Sequence, residues 1–148
     1  MNRPPAVLVD VDGTLVDVSS VRHHVAGKKR NFELFHRESA HCPPHDMALR
    51  WVEEKYDTGH HILVVTARVG KWRDLTHGWL DRHLTRPHTE LVMRADGDFR
   101  PDYEVKRDIH AVLAARYDIK AAIDDNVAVV QLWEVLGIPV TVVPGWPG

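Results

Sequence analysis

Residues 6–12 read AVLVDVD, a continuous apolar run, largely β-branched, that closes on two aspartates one residue apart. A run of this kind fits a strand buried on both faces, and such strands belong to parallel sheets sandwiched between helices. Ending it on two carboxylates is costly. Each loses solvation beside the core, and each repels the other unless something compensates. The rest of the chain must therefore supply a parallel sheet, its covering helices and a partner for that charge.

The predicted strands are Ala6–Val11, Ile62–Val65, Glu90–Met93, Ala121–Ile123 and Pro139–Val143, each a short apolar segment. Helical spacing of apolar residues lies between them. His45–Asp57 carries Met47, Trp51, Val52 and Tyr56, with Asp46 as a candidate cap. Lys71–Leu84 carries Trp72, Leu75, Trp79 and Leu80, and Tyr103–Tyr117 carries Val105, Ile109, Val112 and Leu113. Val127–Leu136 ends at Gly137. This alternation predicts an α/β, Rossmann-like three-layer fold: a central, mostly parallel sheet of about five strands with helices on both faces. At 148 residues the chain is expected to form one domain, with an irregular lid or insert over 17–44. Trp51, Trp72, Trp79 and Trp133 fall on apolar helix faces and are expected in the core. Trp146, in the proline-rich tail, has no such assignment.

Net charge near −2 gives no bulk attraction for nucleic acid or membrane, so any basic patch is local. Lys28, Lys29 and Arg30 form one such patch, and Phe32 or Phe35 beside it is a candidate for base stacking or for the core. The single Cys42 rules out an internal disulfide. With no signal-peptide pattern and no apolar run near the roughly 18 residues of a membrane span, the expected location is cytoplasmic. His36, His41, Cys42 and His45 lie close in sequence but match no standard zinc spacing. The pairs His23-His24 and His60-His61 are expected on the surface.

In a parallel α/β sheet, ligands bind beyond the carboxyl ends of the strands. Asp10 and Asp12 end one predicted strand, and Asp124-Asp125 end another. Two converging acidic pairs call for a hard divalent cation, with Mg²⁺ the natural choice. If strand alternation continues through Asp12, Asp10 and Asp12 point the same way, one to attack an electrophile and the other to move a proton. Gly13 lets backbone amides approach a phosphate, with Thr14 beside it. Thr66, in VVTAR, offers a hydroxyl and is followed by the Ala67 amide, while Arg68 suits bidentate phosphate contact. Lys106, in YEVKRD, is either a solvated helix lysine or the cation that neutralises the attacked phosphate and the nucleophile.

These pieces, in this order, resemble the four motifs of the haloacid dehalogenase (HAD) superfamily: DVDGT at 10–14, Thr66, Lys106 and Asp124-Asp125. The resemblance implies a HAD-type fold with a minimal cap or none. It implies Asp10 as nucleophile, Asp12 as general acid/base, and Thr66 and Lys106 as catalytic partners. Mg²⁺ would be held by Asp10, Asp12 (through its carbonyl), Asp124 and Asp125. The stretches KRNFELFHRESAHCPPHD, RDLTHGWL, LVMRADGDFRPDYEVK and AIDDNVAVVQLWEVLGI are further similar to the phosphatase domain of phage-type polynucleotide kinase–phosphatases. That similarity implies removal of 3′-phosphates from DNA or RNA ends through an aspartyl-phosphate. Arg68 and Arg94 would contact the phosphate, Arg73 and Thr76 would lie near the site, and Asp102 would orient Lys106 or an arginine. Lys28 and Arg30 would track the strand. Asn126 stands where relatives often carry a basic residue, and VTAR replaces Ser-Gly-Arg. No P-loop is present, so a kinase activity, or a ligase, would come from a separate partner. The alternatives are a HAD phosphatase of free nucleotides or other small phosphate esters, and a non-catalytic module that binds phosphorylated ends.

Overall fold

The computed structural model describes residues 2–144, so Trp146 lies outside the described residues. Five strands, β1 (Pro5–Val9), β2 (His61–Val69), β3 (Glu90–Arg94), β4 (Asp118–Asp124) and β5 (Val140–Val142), form one sheet in the order β3-β2-β1-β4-β5. Every pairing is parallel. Helices α1 (Phe32–Ser39), α2 (Asp46–Asp57) and α3 (Arg73–His83) cover one face, and α4 (Asp102–Ala114) and α5 (Val127–Val135) cover the other.

Alternation along β1 divides the core. Val7 and Val9 pack with Ile62, Val64, Val52, Trp79 and Leu80, whereas Ala6 and Leu8 pack with Leu63, Val65, Leu113, Val129 and Trp133. The expected three-layer fold is therefore the observed one. Among the described residues no helix is long and apolar enough to cross a membrane.

Several local expectations are corrected. β1 stops at Val9, so Asp10 and Asp12 sit in the turn after the strand and their directions do not follow from alternation. The turn is closed by Thr14 and Val16 amides donating to the Val11 carbonyl and by the Gly13 amide donating to Val16. The segment 17–44 is not irregular throughout: it carries a short 3₁₀ turn, Arg22–His24, and all of α1. Asn31 caps α1 by accepting from the Leu34 amide, and Glu33 pairs with Arg37 one turn on, two signals present in the sequence. Asp46 is the first residue of α2 rather than its cap, and His45 at the cap position makes no side-chain bond.

Of the tryptophans, Trp79 and Trp133 are buried and Trp51 is half-buried with its indole N–H on Thr141, but Trp72 lines the cleft described below. His23 and His61 are exposed as expected, while His24 is drawn inward onto Glu38 and His60 onto the Lys55 carbonyl.

Candidate active site

The sheet order reverses at β1, so the carboxyl ends of β1, β2 and β4 open onto one crevice. A cleft of about 790 Å³ lies there, lined by Asp10, Asp12, Thr66, Arg68, Lys106 and Asp125 among others.

Its floor is a buried charge cluster. Lys106, 2% exposed, reaches from the first turns of α4 to donate to Asp10 Oδ1 at 2.7 Å and Asp124 Oδ2 at 2.8 Å. It is thus no solvated helix lysine. Asp124 Oδ1 also accepts the amides of Asp125 and Asn126, which fixes its orientation. The Thr14 hydroxyl lies 2.9 Å from Asp10 Oδ2 and 3.1 Å from Asp125 Oδ1, and its single proton can serve one of them. Gly13 carries a φ of +79°, and an added Cβ would stand 2.1 Å from Asp125 Oδ2; only glycine allows this approach.

Among the described residues, Asp10, Asp124 and Asp125 form a group with ligand oxygens within 4.8 Å of one another. Burial, with neighbouring carboxylates, pushes Asp10 up to about 7 and Asp124 up to about 6, and raises Asp125 as well. Lys106 is held charged by the carboxylates against its own burial. One ammonium therefore faces three carboxylates. An all-oxygen set with excess negative charge fits a hard divalent cation such as Mg²⁺. The carboxylates that would hold it are Asp10, Asp124 and Asp125, since the Asp12 carboxylate is engaged elsewhere.

Asp12 accepts from Arg68 at both oxygens, 2.9 Å from Nε and 2.6 Å from Nη2. Burial opposes its charge, but Arg68 prevails and holds its carboxyl below the usual carboxylate range. Arg68, 3% exposed, is itself anchored by Thr76 and Ser39 at 2.9 Å each. Four of its five N–H donors are taken by protein partners, so in this arrangement it orients Asp12 rather than presenting a free fork to a phosphate. The Thr66 hydroxyl accepts from the Arg68 amide, leaving its own proton for another oxygen.

Arg94 lines the cleft with its donors on Ala67 O, Asp98 O, Arg100 O and Asp102. Asp102 thus orients Arg94 and not Lys106. Ala67 and Arg30 also line the cleft; Lys28 and Arg73 do not, and Arg73 donates to the Leu91 carbonyl. Gly13 and Thr14 sit behind the carboxylates, not on the cleft wall. Asn126 lines the cleft and also caps α5 by accepting from the Ala128 and Val129 amides.

Neither the support that Ser39 lends Arg68 nor the place of Phe99 on the cleft carries a signal in the local sequence. His36, considered above only beside Cys42, lines the cleft instead, its ring 5.5 Å from that of Trp72. Its Nδ1 is buried with no hydrogen-bond partner among the described residues, and burial pushes its pKa down to about 4, so it is neutral at pH 7. Cys42 is buried elsewhere, its sulfur against Ser20, and no zinc-like grouping forms around it among the described residues.

Residues 4–145 match the family described as the polynucleotide kinase PNKP phosphatase domain. Among solved structures, the fold is similar to a chain of the Pnkp1/Rnl/Hen1 complex, with a TM-score of 0.80 and 21% identity over 95% of this chain and 46% of that one. The chain thus spans under half the length of that relative. It is also similar to the class C acid phosphatase from Bacillus anthracis with tungstate bound (TM-score 0.72, 15% identity, 97% of this chain and 68% of that one). A third relative is the putative HAD-hydrolase YfnB from Bacillus subtilis bound to magnesium (TM-score 0.61, 13% identity, 94% and 88%).

Proposed function

The chain belongs to the family of polynucleotide kinase PNKP phosphatase domains, a HAD-type phosphatase lineage, and from that premise we propose that it removes 3′-phosphates from nucleic-acid ends. The observation that carries the chemistry is the Asp10–Lys106–Asp124 cluster opening onto the cleft, with Asp12 held apart by Arg68.

In this reading an Asp10 oxygen attacks phosphorus and the bond from phosphorus to the 3′ oxygen breaks. Asp12 delivers a proton to that oxygen. It then takes a proton from water as the water oxygen attacks phosphorus, and the bond to Asp10 breaks to release phosphate. Lys106 balances charge at Asp10, and Thr66 donates its free hydroxyl proton to a phosphate oxygen. A bound Mg²⁺ would neutralise the phosphate and the carboxylates that face it. Because Arg68 keeps Asp12 ionised, the resting site is set for the water-activating step. Donation to the leaving hydroxyl requires Asp12 to be protonated first. Arg94 shapes the wall beside Ala67, and Arg30 supplies positive charge at the mouth for a nucleic-acid backbone.

Kinase or ligase partners would complete end repair. The similarity to a chain of the Pnkp1/Rnl/Hen1 RNA repair complex supports such a context.

The test is phosphate release from a 3′-phosphorylated oligonucleotide with Mg²⁺, beside 3′- and 5′-mononucleotides at equal concentration. Preference for the oligonucleotide is expected. Equal or faster turnover of mononucleotides would assign the site to free nucleotides instead.

A further inference from the structure

Phe99 is 93% exposed, yet the backbone that carries it is among the most firmly tied in the site. Arg94 Nη1 donates to the carbonyls on either side of it, Asp98 O at 3.0 Å and Arg100 O at 2.6 Å. The same guanidinium is held by Ala67 O at 2.7 Å and Asp102 at 2.7 Å. Arg100 adds ion pairs to Asp98 at 2.9 Å and Asp108 at 2.6 Å. A tight turn through Gly97, φ +83°, with the Asp98 amide on Ala95 O, closes the loop at its start.

Isolated exposed apolar residues are ordinary on protein surfaces. What sets Phe99 apart is its place on the cleft and its rigid support. Through Arg94 it is tied to Ala67, the neighbour of Thr66 at the catalytic floor. The backbone at residue 99 is thereby held in place relative to that floor. A second partly exposed ring on the same cleft, Phe32 at 53%, comes from α1, a separate element. Exposed aromatic faces beside a candidate phosphate site match the chemistry of a nucleobase, whose two π-faces stack irrespective of sequence.

We propose that Phe99, with Phe32 on the same cleft, is the stacking site for the terminal nucleobase of the phosphorylated strand. The inference rests on the nucleic-acid reading above and adds to it a specificity determinant: the enzyme selects ends that carry a base.

The test compares two oligonucleotides with a 3′-phosphate, one ending in an ordinary nucleotide and one ending in an abasic residue, assayed with Mg²⁺ on wild type, Phe99→Ala and Phe99→Trp. The ratio of kcat/KM for the base-bearing over the abasic end is expected to fall about 5- to 100-fold in Phe99→Ala, mainly through KM, the range expected for stacking one base. Phe99→Trp is expected to restore it. Melting of Phe99→Ala should match wild type, since the side chain is not part of the core. The same ratio in wild type and Phe99→Ala, with wild type active on both oligonucleotides, would overturn the stacking site and leave the 3′-phosphatase reading intact. A wild type that releases no phosphate from either oligonucleotide would overturn both.

Discussion

Replacing Asp10 by Asn should stabilise the metal-free protein while abolishing turnover. Two effects compete. Breaking a buried ion pair usually costs about 3–5 kcal/mol because the surviving charge is orphaned. Here Lys106 keeps Asp124 at 2.8 Å, so no orphan is left. Against that small loss stands the cost of holding Asp10 ionised. Its pKa rises from 3.8 unfolded to about 7 folded, which corresponds to about 4 kcal/mol. The native state retains the Asp10 proton in the window between those values, where the unfolded chain has released it. Stability is therefore lost as pH rises from about 4 to about 7, and the full cost is present at pH 8. Asn carries no such charge, and it also relieves Asp124, whose pKa Asp10 helps to raise.

For a chain of this size about 4 kcal/mol shifts melting by roughly 10 °C. With a chelator present, Asp10→Asn should melt close to wild type near pH 4.5 and about 10 °C above it at pH 8, read by differential scanning calorimetry. Millimolar Mg²⁺ should then raise wild type more than the variant, since a ligand that binds the native state stabilises it by mass action. A variant that melts below wild type at pH 8 in chelator, or a difference that does not change with pH, would refute the reasoning.

Other perturbations follow from neighbouring contacts. Arg68→Gln removes the cation that holds Asp12 ionised, so the acidic limb of the kcat–pH profile should move to higher pH; an unchanged limb would show that Arg68 does not act through Asp12. Gly13→Ala forces a Cβ against Asp125 at a positive φ, which costs about 1–2 kcal/mol in backbone strain alone; it should lower both melting temperature and Mg²⁺-dependent stabilisation, and retention of both would contradict the close approach. His36 titrates at about 4 folded against 6.5 unfolded, so it favours the native state above pH 6.5 and loses up to about 3 kcal/mol as pH falls to 4. His36→Gln should flatten that acid-side loss when melting is followed from pH 7 to 4.5, and an identical slope in the two proteins would exclude His36 as its source.

The layers of the fold were legible because their cause is local. The apolar runs that become β1, β2 and β4 and the helical spacing that becomes α2, α3, α4 and α5 are each visible in a short window of sequence. Helix α1 was not, because its buried apolar contact is Phe35 alone and the rest of its stability comes from an end cap and surface charges. The site residues were legible as a set, and Lys106 beside the nucleophile followed from the resemblance, but the Asp12–Arg68 pairing and the lysine's second bond to Asp124 were not. Nothing within DVDGT says that Asp10 meets Lys106, 96 residues away, while Asp12 meets Arg68, 56 residues away.

That division decides the chemistry. The strand ends at Val9, and the turn that follows sends the two carboxylates into different company. Asp10 is buried, shares one ammonium with a second carboxylate and lies close to a third, so burial first and the neighbouring carboxylates second raise its pKa above what Lys106 can offset. Asp12 has a bidentate guanidinium to itself and its pKa falls. Two aspartates one residue apart are thereby pushed in opposite directions by environment alone, the pattern expected where one carboxylate is to be a nucleophile and the other a proton carrier. The deficit at Asp10 is one that added positive charge can relieve, so the metal-free fold gives up stability at the position where a cation and a phosphate group would restore it.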